Sequence, residues 1–151
     1  MHLYLGIDFG TTGVRTSVIN EKKEELINYS VSIESPISKG SLVYQNPNLW
    51  WEALLKNFHY LKLKINLEDI KRLSIDGTSG TVLITNELGD PIDHALMYND
   101  ASSVKEAEYT EVISSGHPIV SSPTNALVRA LALIKKNSNA NVYALDILDM
   151  E

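Results

Sequence analysis

The chain has 151 residues with 13 Lys and Arg against 19 Asp and Glu, a formal net charge of −6 and a pI near 5.2. That balance, with no basic run, argues against a nucleic-acid surface, and the lack of cysteine removes disulfides, thiolate catalysis and Cys-based metal sites. No apolar run approaches the ~20 residues needed to span a membrane and no basic region precedes an apolar one at the start, so a cytoplasmic protein with no membrane partner is expected. A chain of this length supports one domain around one core.

The elements begin with an apolar strand from Leu3 to Ile7, which delivers Asp8 to a glycine-rich turn; a second strand, Val14 to Ile19, returns beside it. The turn suits phosphate. Gly10 and Gly13 can take backbone angles closed to other residues and bring amides close to an anion. Thr11 and Thr12 add hydroxyl donors and Arg15 a fixed positive charge, while Asp8 can hold a hydrated magnesium ion. A Gly-Thr turn alone is commonly structural, but here an acid, two glycines, two threonines and an arginine fall within eight residues. No Walker lysine is present, so this is not a P-loop.

Glu25 to Glu34 alternates apolar and polar residues and predicts a third strand. Ser35 to Asn48, rich in Ser, Pro, Gly and Asn, reads as a loop leading into a helix that starts near Leu49. There Trp50, Leu54, Phe58 and Leu61 recur at three- and four-residue spacing, a stripe expected to pack on the sheet. Of Trp50 and Trp51, one belongs to the core and the other faces a cleft or partner. Ile70 to Ile75 predicts a buried strand, Gly77 to Gly80 a turn, Thr81 to Thr85 a further strand, and Asn86 to Pro91 a hairpin-like connection.

A short strand over Ala95–Tyr98 leads to an acidic helix from Ser102 to Ser115, broken at Gly116-His-Pro118. Pro123 opens the last helix, with Ala126, Leu127, Ala130, Leu131 and Ile134 on one face and Lys135 and Lys136 in its last turn. Alternating strands and helices argue an α/β fold. His2, His59, His94 and His117 are scattered without an i, i+4 pair, which disfavours histidine metal ligation.

The string Asp8-Phe-Gly-Thr-Thr-Gly-Val-Arg15 resembles the first phosphate motif of the actin, hexokinase and Hsp70 superfamily, and within it the FGGY carbohydrate kinases. Leu73-Ser-Ile-Asp-Gly-Thr-Ser-Gly-Thr-Val-Leu-Ile-Thr85, Gly89-Asp-Pro91 and Ala95-Leu-Met-Tyr-Asn-Asp100 are similar to the D-ribulokinase or xylulose-kinase-like branch of plants and cyanobacteria. Ser122-Pro-Thr-Asn-Ala-Leu127 resembles the start of that branch's next helix, and Ala144 to Asp149 is weakly similar to the segment after it. The resemblance implies that residues 1–151 are the N-terminal domain of such a kinase, a truncated ribonuclease-H-like fold with a mixed sheet flanked by helices.

The same resemblance implies phosphoryl transfer from ATP, with Mg²⁺, to a ketopentose such as D-ribulose or D-xylulose. Such transfer needs charge neutralisation and positioning above all. Asp8 would coordinate the metal or organise the sugar hydroxyl, and Gly10, Thr11, Thr12, Gly13 and Arg15 would hold phosphate. Each charge-assisted hydrogen bond there contributes about 1.5–3 kcal/mol before ordering costs. Thr78, Ser79 and Gly80 would meet the sugar, since hydroxyls both donate to and accept from a polyol, although Ser, Thr and Gly populate most turns. Asp100 is a further substrate candidate or, alternatively, a helix N-cap. Ser102 stands where many FGGY kinases have an arginine.

The family's catalytic base lies in a later glycine-rich segment, followed by a lobe that holds adenosine; neither occurs in this chain. Asp146 and Asp149 lack that context. The chain alone is therefore expected to be inactive, and to self-associate or pair with the missing C-terminal lobe. The alternative is a non-catalytic binding module or remnant acting through a partner.

Overall fold

A computed structural model describes residues 2–115, 117, 120–138 and 143–146. The expected single core is replaced by two compact units, residues 1–35 with 48–78, and residues 36–47 with 79–151.

In the first unit the alternating sequence forms β1 (Leu3–Gly10) and β2 (Gly13–Asn20), an antiparallel hairpin with Asp8 opposite Arg15 and Ile7 opposite Thr16. β3 (Glu25–Ser32) pairs antiparallel with β2, and β6 (Ile70–Gly77) pairs parallel with β1. The order β3-β2-β1-β6 makes the expected mixed sheet. Period-two alternation places Leu3, Leu5 and Ile7 on the same face as Val14, Thr16 and Val18, all buried. Helix α1 (Asn48–Lys62) covers this face with Trp50, Ala53, Leu54 and Leu61. Each fully buried large side chain contributes about 1.5–3 kcal/mol.

The helical stripe differs from expectation at one position. Asn57, not Phe58, is fully buried; Phe58 is half-buried. The Asn57 amide donates to the carbonyls of Val14 (3.2 Å) and Ala53 (2.9 Å) and accepts from the Thr16 hydroxyl (2.9 Å). Every polar partner in this cluster is thereby used, which a polar pair inside a core requires.

β6, expected to be buried, is largely exposed and has no outer neighbour among the described residues. Leu73 and Ile75 stand in register with buried Leu5 and Ile7 yet remain 49% and 37% exposed. An apolar edge strand is a template for further pairing. Sedimentation is expected to show concentration-dependent self-association that Leu73→Lys reduces; a strict monomer at high concentration would count against an adhesive edge.

In the second unit, the segment read as a loop over Ser35–Asn48 holds a hairpin of β4 (Ile37–Lys39) and β5 (Leu42–Gln45), turned by Gly40 at φ +64°. Strands this short carry too little alternation to stand out among Ser, Pro and Gly. The five-stranded sheet runs β4-β5-β8-β7-β9, with β7 (Val82–Thr85), β8 (Ala95–Leu96) and β9 (Tyr143–Asp146) all antiparallel to their neighbours. Asn86 braces the Asn86–Asp90 turn by accepting from the Leu88 and Asp90 amides, with Gly89 at φ +85°.

α2 (Val104–Ile113) begins after Ser103 and ends at Ser114; the breaker residues Gly116 and Pro118, and the family-like residues 147–149, lie outside the described residues. α3 (Ala126–Lys136) starts at Asn125, whose side chain accepts from the Leu127 amide, rather than at Pro123. Its buried residues are Val128, Arg129 and Leu133. Leu127 and Ile134, expected inward, are exposed. Leu133 joins Val82, Ile84 and Leu96 in a core flanked by Ala126 and Ala130.

Asp93 ties the end of α3 to the sheet. Its carboxylate accepts from Lys136 Nζ (2.7 Å), Asn137 Nδ2 (3.1 Å) and the His94 amide (2.8 Å). Burial raises its pKa, but these donors outweigh that and hold it below the ordinary 3.8. A depressed carboxylate contributes stability that is present above its unfolded pKa and is lost as pH falls through the folded one. Urea midpoints measured between about pH 5 and pH 2 should fall more steeply for the wild type than for Asp93→Asn; parallel profiles would remove Asp93 from the acid response.

Candidate phosphate-binding hairpin and sugar-side turn

The β1–β2 turn is fastened from behind. Trp50 Nε1 donates to the Gly10 carbonyl (2.9 Å) and the Ile33 amide to the Thr12 carbonyl (2.9 Å). Among the described residues, neither the backbone N–H nor the hydroxyl of Thr11 or Thr12 has a hydrogen-bond partner. Thr11 is half-buried and Thr12 exposed. Carbonyls held by protein and donors left open are the polarity an anion needs.

The glycines serve this turn differently from expectation. Neither Gly10 nor Gly13 has a positive φ. Close approach requires them instead: a Cβ on Gly13 would lie 2.8 Å from the Val31 carbonyl oxygen, and one on Gly10 would lie 3.2 Å from that of Gly13. The turn is tight because the chain passes directly against β3.

Asp8 and Arg15, opposite each other across β1 and β2, form an ion pair of 2.6 Å with both side chains about half exposed. Asp8 also stands in parallel register with Asp76. With Gly6, Ser17, Asn28 and Ser74 they line an open cavity of about 320 Å³ on the sheet face opposite α1. The Asp76 carboxylate accepts from the Gly77 amide (2.9 Å), bracing the end of β6, while the Thr78 amide donates to the Phe9 carbonyl (3.2 Å).

Asp8 to Arg15 and Thr78 belong to the first unit, and Ser79, Gly80 and Asp100 to the second. Ser79 is exposed, Thr78 and Gly80 half-buried, and Gly80 takes φ +76°. Asp100 is fully buried and does not cap α2, whose N-cap is Ser103. Its carboxylate accepts from the Val43 amide (2.7 Å) and from the Ser102 amide (3.1 Å) and hydroxyl (2.9 Å). Sequence reasoning passed over Arg129, which bonds to the carbonyls of Gly80 and Asp100 alike. An arginine within the apolar run Ala126–Leu133 was the available signal.

The fold is that of the N-terminal part of sugar kinases. A xyloylose kinase from Brucella ovis superposes with a TM-score of 0.83 at 17% identity, over 98% of this chain and 33% of that one. The chain belongs to the FGGY family of carbohydrate kinases, whose N-terminal domain matches residues 3–127. It is 29% identical to a xylulose kinase from Staphylococcus xylosus over 108 residues, 72% of this chain and 22% of the relative. With a glycerol kinase from Aquifex aeolicus it shares 24% over 148 residues, 91% of this chain and 30% of the relative. The chain thus spans less than a third of the length of these curated relatives.

A hard-cation site fits the residues present. Among the described residues no three His, Cys, Asp or Glu converge as a metal cage. Mg²⁺ is instead commonly held by one or two carboxylates together with substrate phosphates and retained waters, and Asp8 and Asp76 offer that donor set beside the open turn. No helix among the described residues is long and apolar enough to cross a membrane.

Proposed function

We propose that this chain supplies the phosphate-side hairpin and the sugar-side turn of an ATP-dependent kinase acting on a ketopentose such as D-xylulose or D-ribulose. The observation that carries the reading is the Gly10–Gly13 turn, whose Gly10 and Thr12 carbonyls are held by Trp50 and Ile33 while the Thr11 and Thr12 donors stay open. The similarity to a xylulose kinase supports the choice of sugar.

In this reading Thr11 and Thr12 bind phosphate, with Arg15 as a nearby positive charge, and Gly10 and Gly13 keep the turn narrow. Asp8, aided by Asp76, would hold Mg²⁺, which when bound neutralises phosphate charge. Thr78 and Ser79 meet the sugar hydroxyls, and Asp100 shapes the segment that follows from inside.

The test is a ¹⁵N–¹H titration of the chain with inorganic phosphate and, separately, with D-xylulose. Phosphate should shift the Thr11 and Thr12 amides, and D-xylulose those of Thr78, Ser79 and Gly80. Absence of both responses would overturn the reading. Joined to the remaining lobe of a family member, the chain should also support ADP release with ATP and D-xylulose, which a non-catalytic binding module would not.

A further inference from the structure

We propose that Arg129 is a positioning residue that locks the sugar-side turn at Gly80 to the Met97–Asp100 segment. This rests on the reading of Ser79, Gly80 and Asp100 as sugar-side residues. Arg129 sits on α3 and is 1% exposed. Its Nη2 donates to the Gly80 carbonyl (2.6 Å), and its Nη1 faces the carbonyls of Met97 (2.9 Å), Tyr98 (2.6 Å) and Asp100 (3.4 Å). A buried cation is costly unless its donors are met, and here carbonyl oxygens take up both Nη groups.

The arrangement needs a fork. Oxygens from two separate chain segments converge on one point and would repel each other without a cation between them. Guanidinium presents nitrogens to both segments at once in one rigid plane, whereas a lysine ammonium is a single point. Gly80 is fitted to the clamp twice over: it holds φ +76°, and a Cβ there would lie 3.1 Å from Nη2. The Asp100 carboxylate secures the same segment from the other side through Val43, and the Ala101 amide donates to the Ser41 carbonyl (3.0 Å). Arg129 thus fixes where Ser79 and Gly80 stand relative to Tyr98 and Asp100 without itself meeting solvent or sugar.

The decisive experiment compares wild type, Arg129→Lys and Arg129→Met for thermal midpoint, D-xylulose affinity, and amide exchange at Asp100 and Ala101. Lysine keeps the charge and one arm. It should therefore stay folded with a midpoint near wild type while weakening D-xylulose binding tenfold or more and speeding exchange at Asp100 and Ala101 by a similar factor. Methionine should lose stability as well. The phosphate response at Thr11 and Thr12 should be unchanged in Arg129→Lys. That split between stability and sugar affinity is not produced by a residue that only supports the core. A folded Arg129→Lys with wild-type exchange or wild-type D-xylulose affinity overturns the positioning role. Should the wild type itself give no D-xylulose response, the sugar-side reading falls, and exchange at Asp100 and Ala101 alone decides whether the clamp exists.

Discussion

Asp8→Ala, in a kinase assembled by joining this chain to the remaining lobe of a family member, is expected to lower turnover by about 10²–10³-fold, the scale of losing one electrostatic group that acts in the transition state. Stability should barely change. The Asp8 side chain is 43% exposed, its ion pair with Arg15 lies on an open sheet face, and exposed pairs of this kind contribute about 0–1 kcal/mol. Its register partner across β1 and β6 is another carboxylate, Asp76, so removing Asp8 also relieves a like-charge neighbour. Asp76→Ala should behave differently. Its carboxylate accepts from the Gly77 amide at the end of β6, so stability should fall with a smaller loss of turnover. Turnover numbers and urea midpoints for both variants decide the matter, and wild-type turnover in Asp8→Ala would reduce the hairpin to a structural role.

The hairpin was legible because its chemistry is local. Asp8, the two glycines and the two threonines fall within six positions, and period-two alternation on either side fixes which face each residue takes. The same local logic failed where partners lie far apart in sequence. Nothing near Asn57 indicates that it will meet Thr16, 41 residues earlier, so an apolar stripe through Phe58 was the natural reading. α3 illustrates the point again. Its Leu and Ala residues are dense enough to suggest several faces, and the observed one follows from burying Arg129 against carbonyls 29 to 49 residues earlier in the chain. β6 failed for a further reason. A run of apolar residues reports that a strand can be buried, but whether it is depends on a neighbour, and none pairs with its outer edge among the described residues.

Trp50 should show how closely the core and the candidate phosphate turn are joined. Its ring is buried on the α1 side of the first sheet, and its indole N–H holds the Gly10 carbonyl at 2.9 Å, so a single side chain contributes both to packing and to the polarity of the turn. Trp50→Ala is expected to cost about 3–5 kcal/mol, the range for emptying a large aromatic site. Trp50→Phe keeps most of the apolar volume and removes the donor. It should cost about 0.5–1.5 kcal/mol, the net contribution of one hydrogen bond to a part-buried carbonyl. With its carbonyl released, Gly10 no longer holds one side of the turn, and phosphate should shift the Thr11 and Thr12 amides less strongly in Trp50→Phe than in the wild type. Trp51, adjacent in sequence but 61% exposed, supplies the control: Trp51→Ala should stay within about 0.5 kcal/mol of wild type. Urea midpoints separate the packing effect from the hydrogen-bond effect, and the phosphate titration reads the turn. If Trp50→Phe matches the wild type in both, the Trp50–Gly10 bond does not organise the hairpin, and the open donors at Thr11 and Thr12 owe their placement to the close passage of Gly13 against β3 alone.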